Sequence, residues 1–314
     1  MEQKLTKLIQ KPVFLDHNGT VDDFVALATL LTLDQFRLTG VSIINGNCCV
    51  DSAVEITLRI LDLFCRHDIQ LAKSIADPVN PFPDSTRMKS RRVNSLQILV
   101  NQKADFSKLV EVDAPHFIAQ KLRDEEEKTT VVLTGPAENL INAILIYPEI
   151  VEKIEKVIWV AGAFLNDGNV IAPDHDGSAE WNIFWNPAKA SELIKTGVPI
   201  TFLPLDVTQQ LPIDNYLIYH LDKHKDKILS QMVLSILEPE YDSRTKRYMN
   251  SVVAPVFLRY PELFQVDSKS INIELRGTSM GNIYRTSLGS RIKHVTFVDE
   301  EEFYEILIKQ LKQF

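Results

Sequence analysis

The run Asp16-His17-Asn18-Gly19-Thr20-Val21-Asp22-Asp23 packs three carboxylates, a carboxamide and an imidazole into eight residues. Oxygens at this density suit two tasks, coordinating a hard cation and gripping vicinal hydroxyls. The run lies between an apolar stretch (Val13, Phe14, Leu15) and a helix-like one (Phe24, Val25, Ala26, Leu27). It therefore sits beyond a strand's carboxyl end, where open α/β sheets bind their ligands. A structural reading competes with this. Thr20 followed three residues later by Asp23 resembles a capping box, and acids in a first helical turn stabilise the helix dipole. Capping has no use for Asp16 and Asn18 upstream. His17 is a polar neighbour of the turn, although a lone histidine there is commonly a hydrogen-bonded structural residue.

Apolar, β-branched runs alternate with amphipathic ones along the chain. Strands are expected at 12–15, 39–44, 130–134, 157–161, 199–204, 270–275 and 294–298, and helices near 22–33, 50–66, 113–127, 136–147, 187–196, 213–236 and 299–313. This alternation predicts one α/β domain over residues 1–314, with a mainly parallel, open, Rossmann-like sheet covered by helices on both faces. The proline-rich segment Asp77-Pro78-Val79-Asn80-Pro81-Phe82-Pro83 must be a loop, and residues 237–250 form a second long excursion. Excursions of that size near strand ends often close over a ligand.

Bulk properties narrow the function classes. A net charge of -8 without any Lys/Arg-rich block argues against a nucleic-acid partner. The most basic patch, Arg87-Met88-Lys89-Ser90-Arg91-Arg92, reads as a solvated helix or loop face. No apolar run reaches the length of a membrane span, and the N-terminus lacks a signal-peptide layout, so a cytoplasmic location is expected. The three cysteines make neither a disulfide framework nor a zinc site and read as reduced, buried small residues.

Two resemblances follow from these residues. Asp16-x-Asn18-Gly19-Thr20 is similar to the nucleophile loop of haloacid-dehalogenase-type phosphatases. That chemistry needs a second aspartate where Asn18 stands and a downstream Gly-Asp, and none of the 11 glycines is followed by Asp. The same turn also resembles the opening of the inosine-uridine nucleoside hydrolase family, and here further blocks match in order. They are Asn45-Gly46-Asn47, Val79-Asn80-Pro81-Phe82-Pro83, Leu133-Thr134-Gly135-Pro136-x-x-Asn139-Leu140, Ala161-Gly162-Ala163, Gly168-Asn169-Val170, Asp176-Gly177-Ser178-Ala179-Glu180-Trp181-Asn182, and Pro204-Leu205-Asp206. The purine-preferring branch is closest in motif style.

The hydrolase resemblance implies a ribonucleoside N-ribohydrolase, which releases free base and ribose. Asp22, Asn47, Asn169, Glu180 and Asn182 would form a ribose cage. Calcium would be held by Asn18, Asp23, the Thr134 carbonyl and Asn250, and Asn18, Asp22 and Asn182 would occupy catalytic positions. Homodimers or homotetramers are implied. Each cage residue also has a plain alternative. Asn47, for example, is placed to cap the helix expected near Val50. Two departures stand out. The resemblance calls for aspartate at Asn18, as calcium ligand and general base, and again at Asn250. An amide oxygen still ligates calcium, but it takes no proton from water near neutral pH. One clear anionic ligand, Asp23, then remains where three are implied. A ribose-binding relative with little turnover is the alternative reading. At the base-binding end, Thr86 and Met249 stand where the resemblance calls for aromatic or histidine side chains, and no leaving-group acid is assignable.

Overall fold

The computed structural model describes residues 10–165, 167–241, 244 and 246–313. Its strands are β1 (Lys11–His17), β2 (Phe36–Ile43), β3 (Leu71–Lys73), β4 (Thr129–Leu133), β5 (Ile154–Trp159), β6 (Ile200–Phe202), β7 (Phe264–Ile273), β8 (Ile283–Arg285) and β9 (Ser290–Val298). They form one nine-stranded sheet in the order β3-β2-β1-β4-β5-β6-β9-β7-β8. The pairings from β3 through to β9 are parallel, and β7 pairs antiparallel with both β9 and β8. β1 is buried at six of its seven positions, which is why its sequence shows no polar alternate face. Val13 and Leu15 enter one core and Phe14 the other, as the two-residue strand period requires. The strand order reverses between β1 and β4. Such a switch point opens a crevice at the strand ends, and the turn from Asp16 to Asp23 emerges into it.

Helices follow the expected alternation, with differences that have physical causes. The single expected stretch 213–236 is two helices, Asn215–Lys223 and Ile228–Leu237, separated by the polar run His224-Lys225-Asp226-Lys227. β3 and β8 are three residues each, too short for any periodicity to register. β7 begins six residues ahead of the expected 270 because its Gln265–Ser270 half is exposed or only partly buried, and so reads as polar. The helix Val253–Arg259 was not expected either. Among the cysteines only Cys48 is buried; Cys49 is partly exposed and Cys65 exposed, so the small-core-residue reading fails for two of three.

The basic patch is also more than a solvated face. Lys89 and Arg92 both pair with Glu240, at 2.6 and 2.8 Å, and Arg87 donates to Asn45 Oδ1 at 3.1 Å. The patch thus stitches the segment after the proline loop to the second excursion. Among the described residues, no helix is long and apolar enough to cross a membrane.

Candidate active site

Gly19 turns the chain out of β1 with φ +71°, and a Cβ there would lie 2.6 Å from that of Cys48, so the turn requires glycine. The helix Val21–Leu31 starts at once. Asp23 Oδ2 accepts from the backbone N–H of Thr20 (2.9 Å) and of Asn18 (3.2 Å). Its other oxygen, Oδ1, is buried without a hydrogen-bond partner. The two readings of Asp23 therefore coexist in one carboxylate: one oxygen fastens the turn and the other is left free. His17 is fully buried and faces away from the cleft. Its Nδ1 accepts from Gly19 N at 3.2 Å, which leaves Nε2–H to donate to Thr57 Oγ1 at 3.3 Å.

A cleft of about 560 Å³ opens at the strand ends, lined by Asn18, Asp22, Asn47, Thr134, Asn169, Glu180, Asn182 and Asn250, among others. Its volume suits a small organic ligand. Asp16 and Asp23 lie behind this lining. Asp16 Oδ1 accepts from Ser42 Oγ (2.7 Å) and Asn139 Nδ2 (3.0 Å), so it ties β1 to β2 and to the helix after β4. Burial pushes its carboxyl up to about 7. Asn139, part of the Thr134-Gly135-Pro136 block, thereby has a structural task.

Asn182 is the hub of the cleft floor. Its Nδ2 donates to the carbonyls of Val160 (2.9 Å) and Thr134 (3.3 Å), and its Oδ1 accepts from Asn18 Nδ2 at 3.1 Å. Asn18 is wedged between glycines, since a Cβ at Gly46 or Gly135 would come within 2.7 or 2.9 Å of its own Cβ. Held this way, Asn18 presents Oδ1, which is buried and unpartnered. Asn250 Oδ1 and Asn47 Oδ1 share that condition. Asn47 is not a cap; Cys49 holds that position and makes no side-chain cap bond. Asp22 Oδ2 is fixed by Ser251 N at 2.8 Å, which docks the end of the second excursion onto the first helix. Burial and then the neighbouring Asp23 carboxylate raise the pKa of Asp22. For Asp23, burial pushes upward, but His17 when protonated (Nδ1 3.8 Å from Oδ2), together with the Ser251 and Thr134 hydroxyls, pulls it below the usual range.

Glu180 caps the short helix Trp181–Phe184: Oε1 accepts from Asn182 N (2.9 Å), and Oε2 from Gly162 N (3.1 Å) and Ile183 N (3.3 Å). Burial outweighs these donors and lifts the carboxyl from 4.5 to about 7. Between those values the folded protein keeps a proton that the unfolded chain has released. Stability from this group is full below the unfolded pKa and is lost as pH rises through the window, by up to ~1.4 kcal/mol per pH unit. Urea unfolding at pH 5 and pH 7 is expected to show a smaller pH-dependent loss for Glu180→Gln than for the parent; parallel losses would contradict the assignment.

Phe82 and Trp181 stack at 4.9 Å on the cleft wall, and Asn80 Nδ2 donates to Phe184 O at 2.6 Å, pinning the proline loop there. Thr86 lines the cleft as expected. Met249 does not: it is fully buried in the hydrophobic core, and Arg247, two residues earlier, faces the cleft instead. An excursion without periodicity gives no sign of which side chain turns inward, so the sequence held no signal for Arg247. The role of Ser251 was also missed, because it acts through its backbone.

Comparison with known proteins supports the fold. A crystal structure of an inosine-uridine preferring nucleoside hydrolase from Bacillus anthracis superposes with a TM-score of 0.91 at 30% identity, over 97% of this chain and 100% of that one. The pyrimidine-specific ribonucleoside hydrolase RihA of Shewanella woodyi is 26% identical over 321 residues, covering 97% of this chain and 99% of its own. A purine-preferring ribonucleoside hydrolase from Gardnerella vaginalis, at 21% identity and a TM-score of 0.81 over 96% of this chain and 98% of that one, shares the fold. The sequence profile described as inosine-uridine preferring nucleoside hydrolase matches residues 13–305, and the chain belongs to that family.

Proposed function

We propose that this protein hydrolyses the N-glycosidic bond of ribonucleosides, releasing free base and ribose. The observation that carries this reading is the gathering of Asp22, Asn47, Asn169, Glu180 and Asn182 around one cleft of nucleoside size. Carboxylate and amide groups offer acceptors, and the amides also donors, to vicinal hydroxyls. Asp22, held by Ser251 N, accepts from the 2′- and 3′-hydroxyls; Asn47 and Asn182 support that end, and Asn169 and Glu180 complete the cage. As the C1′–N bond lengthens, the ribosyl ring takes on oxocarbenium character. Asp22 and Glu180 lie where they stabilise this developing positive charge, a preorganised electrostatic role. Family membership displaces the phosphatase reading, whose second aspartate and Gly-Asp motif this chain lacks.

The donor chemistry at the cleft floor fits a hard cation. Asn18 Oδ1, Asp23 Oδ1 and Asn250 Oδ1 are buried acceptors without a hydrogen-bond partner, and the Thr134 carbonyl lies beside them. Calcium bound there would polarise the attacking water. Among the described residues no three His, Cys, Asp or Glu side chains cluster as a metal site, so the set is one carboxylate with neutral oxygens. Calcium affinity follows ligand charge count. Calorimetric titration is therefore expected to give weak calcium binding, and tight stoichiometric calcium in the purified protein would contradict the charge argument.

Because Asn18 accepts no proton, turnover is expected to be slow. Reducing-sugar release from a panel of ribonucleosides in phosphate-free buffer tests the function. Ribose release matched by free base is the expected result, and none from any nucleoside would refute it. The assembly is proposed to be a homodimer or homotetramer, which light scattering decides.

A further inference from the structure

Arg247 is the one Lys, Arg or His side chain among the described residues lining the cleft. No hydrogen bond or ion pair of its guanidinium occurs among the described residues. Glu240, an acid of the same excursion, is already engaged by Lys89 and Arg92. The backbone carrying Arg247 is fixed: its carbonyl accepts from Ile213 N at 2.7 Å, and Tyr248 bridges to Pro212. The guanidinium is thus an exposed positive charge without an ion pair among the described residues, set on a tethered strap beside a cleft whose other ionisable lining residues are Asp22 and Glu180. It also lines an adjoining cavity of about 350 Å³ that shares Thr86, Asp22 and Asn47 with the first.

We infer that Arg247 stabilises the departing base as an anion, on the reading that the cleft hydrolyses nucleosides. Heterolysis of the C1′–N bond separates charge. The bonding electron pair leaves on the base nitrogen and the ribosyl carbon becomes cationic. The water oxygen then bonds to C1′, one water proton passes to solvent, and the released base anion takes a proton from solvent. The two ends of the reacting bond therefore want opposite partners. Carboxylates line the cleft for the cationic end, and one guanidinium is available for the anionic end. Arginine stays protonated throughout and offers only donors, so it acts by charge and hydrogen bonding and not as a proton source. This fills the place for which the sequence offered no leaving-group acid.

The test compares the parent with Arg247→Met and Arg247→Lys, using uridine and 4-nitrophenyl riboside, whose leaving group needs little help. Removing one preorganised transition-state donor costs about 100–1,000-fold in rate. Arg247→Met is expected to lose on that order with uridine and less than about threefold with the activated riboside, with partial recovery in Arg247→Lys. Equal losses on both substrates, or no loss on uridine, would overturn the assignment. A binding arm is independent of turnover: 5-nitrouracil, largely ionised at pH 7.5, should bind the parent at least about tenfold more tightly than uracil, and Arg247→Met should abolish this preference. If the parent cleaves neither riboside, the hydrolase reading fails. The binding arm still decides Arg247, because a parent indifferent to the ionised base would refute its role.

Discussion

Asn18→Asp is expected to make this protein a faster hydrolase and, at the same time, a calcium-dependent fold. In the parent, Asn18 Nδ2 donates to Asn182 Oδ1, while Asn182 Nδ2 is committed to the carbonyls of Val160 and Thr134. An aspartate has no N–H to give, so two acceptors would face each other in a buried site. Leaving such groups unsatisfied costs about 1–3 kcal/mol. Without metal, the variant should unfold at lower urea than the parent, and millimolar calcium should restore it while moving the parent little. The carboxylate also supplies the missing base, and general-base catalysis contributes about 100–10,000-fold. Asn250→Asp alone should do less, because it adds a ligand but no base. The two positions would share one ion, so the double variant should exceed the product of the single effects. A repaired protein that binds calcium without gaining rate would place the defect elsewhere.

Asp22→Ala is expected to abolish useful ribose recognition. Asp22 is the carboxylate of the turn that lines the cleft; Asp16 and Asp23 lie behind it. Hydrogen bonds to a charged group contribute roughly 1.5–3 kcal/mol each, so losing two should weaken binding by about 100-fold or more. Calorimetry with ribose and with a nucleoside checks this. Asp22 also accepts from Ser251 N, so the variant loosens the second excursion. Asp22→Asn retains an oxygen for that bond, and should keep the parent's urea midpoint more nearly while still losing most ribose affinity. Unchanged binding in both variants would show that the cage residues do not hold the sugar.

The sequence made the centre of the site legible and left its rim obscure. Asp16 to Asp23 could be placed at a strand end because β1 is short, apolar and followed at once by helical spacing. Glu180-Trp181-Asn182 could be tied to that turn only through the ordered series of matching blocks, since no local pattern links residues 164 positions apart, as Asn18 and Asn182 are. The excursions were foreseen as excursions, but not which of their side chains turn inward. Met249 and Arg247 are two residues apart, and their fates, core and cleft, follow from the anchoring of Ile213 N on Arg247 O and Ser251 N on Asp22. Such long-range tethers leave no periodicity. β3 and β8 escaped for a related reason: three residues paired by distant partners carry no signal of their own.

The central claim is that the Asp22 cage, in the presence of Asn18 and Asn250, breaks nucleosides with water. Parent and Asp22→Ala should be incubated side by side with uridine and inosine in phosphate-free buffer, and free base and ribose quantified chromatographically. The account predicts base and ribose in equal amounts from at least one substrate, at a rate at least about 100-fold above that of the variant. A parent no faster than Asp22→Ala on either nucleoside would contradict it.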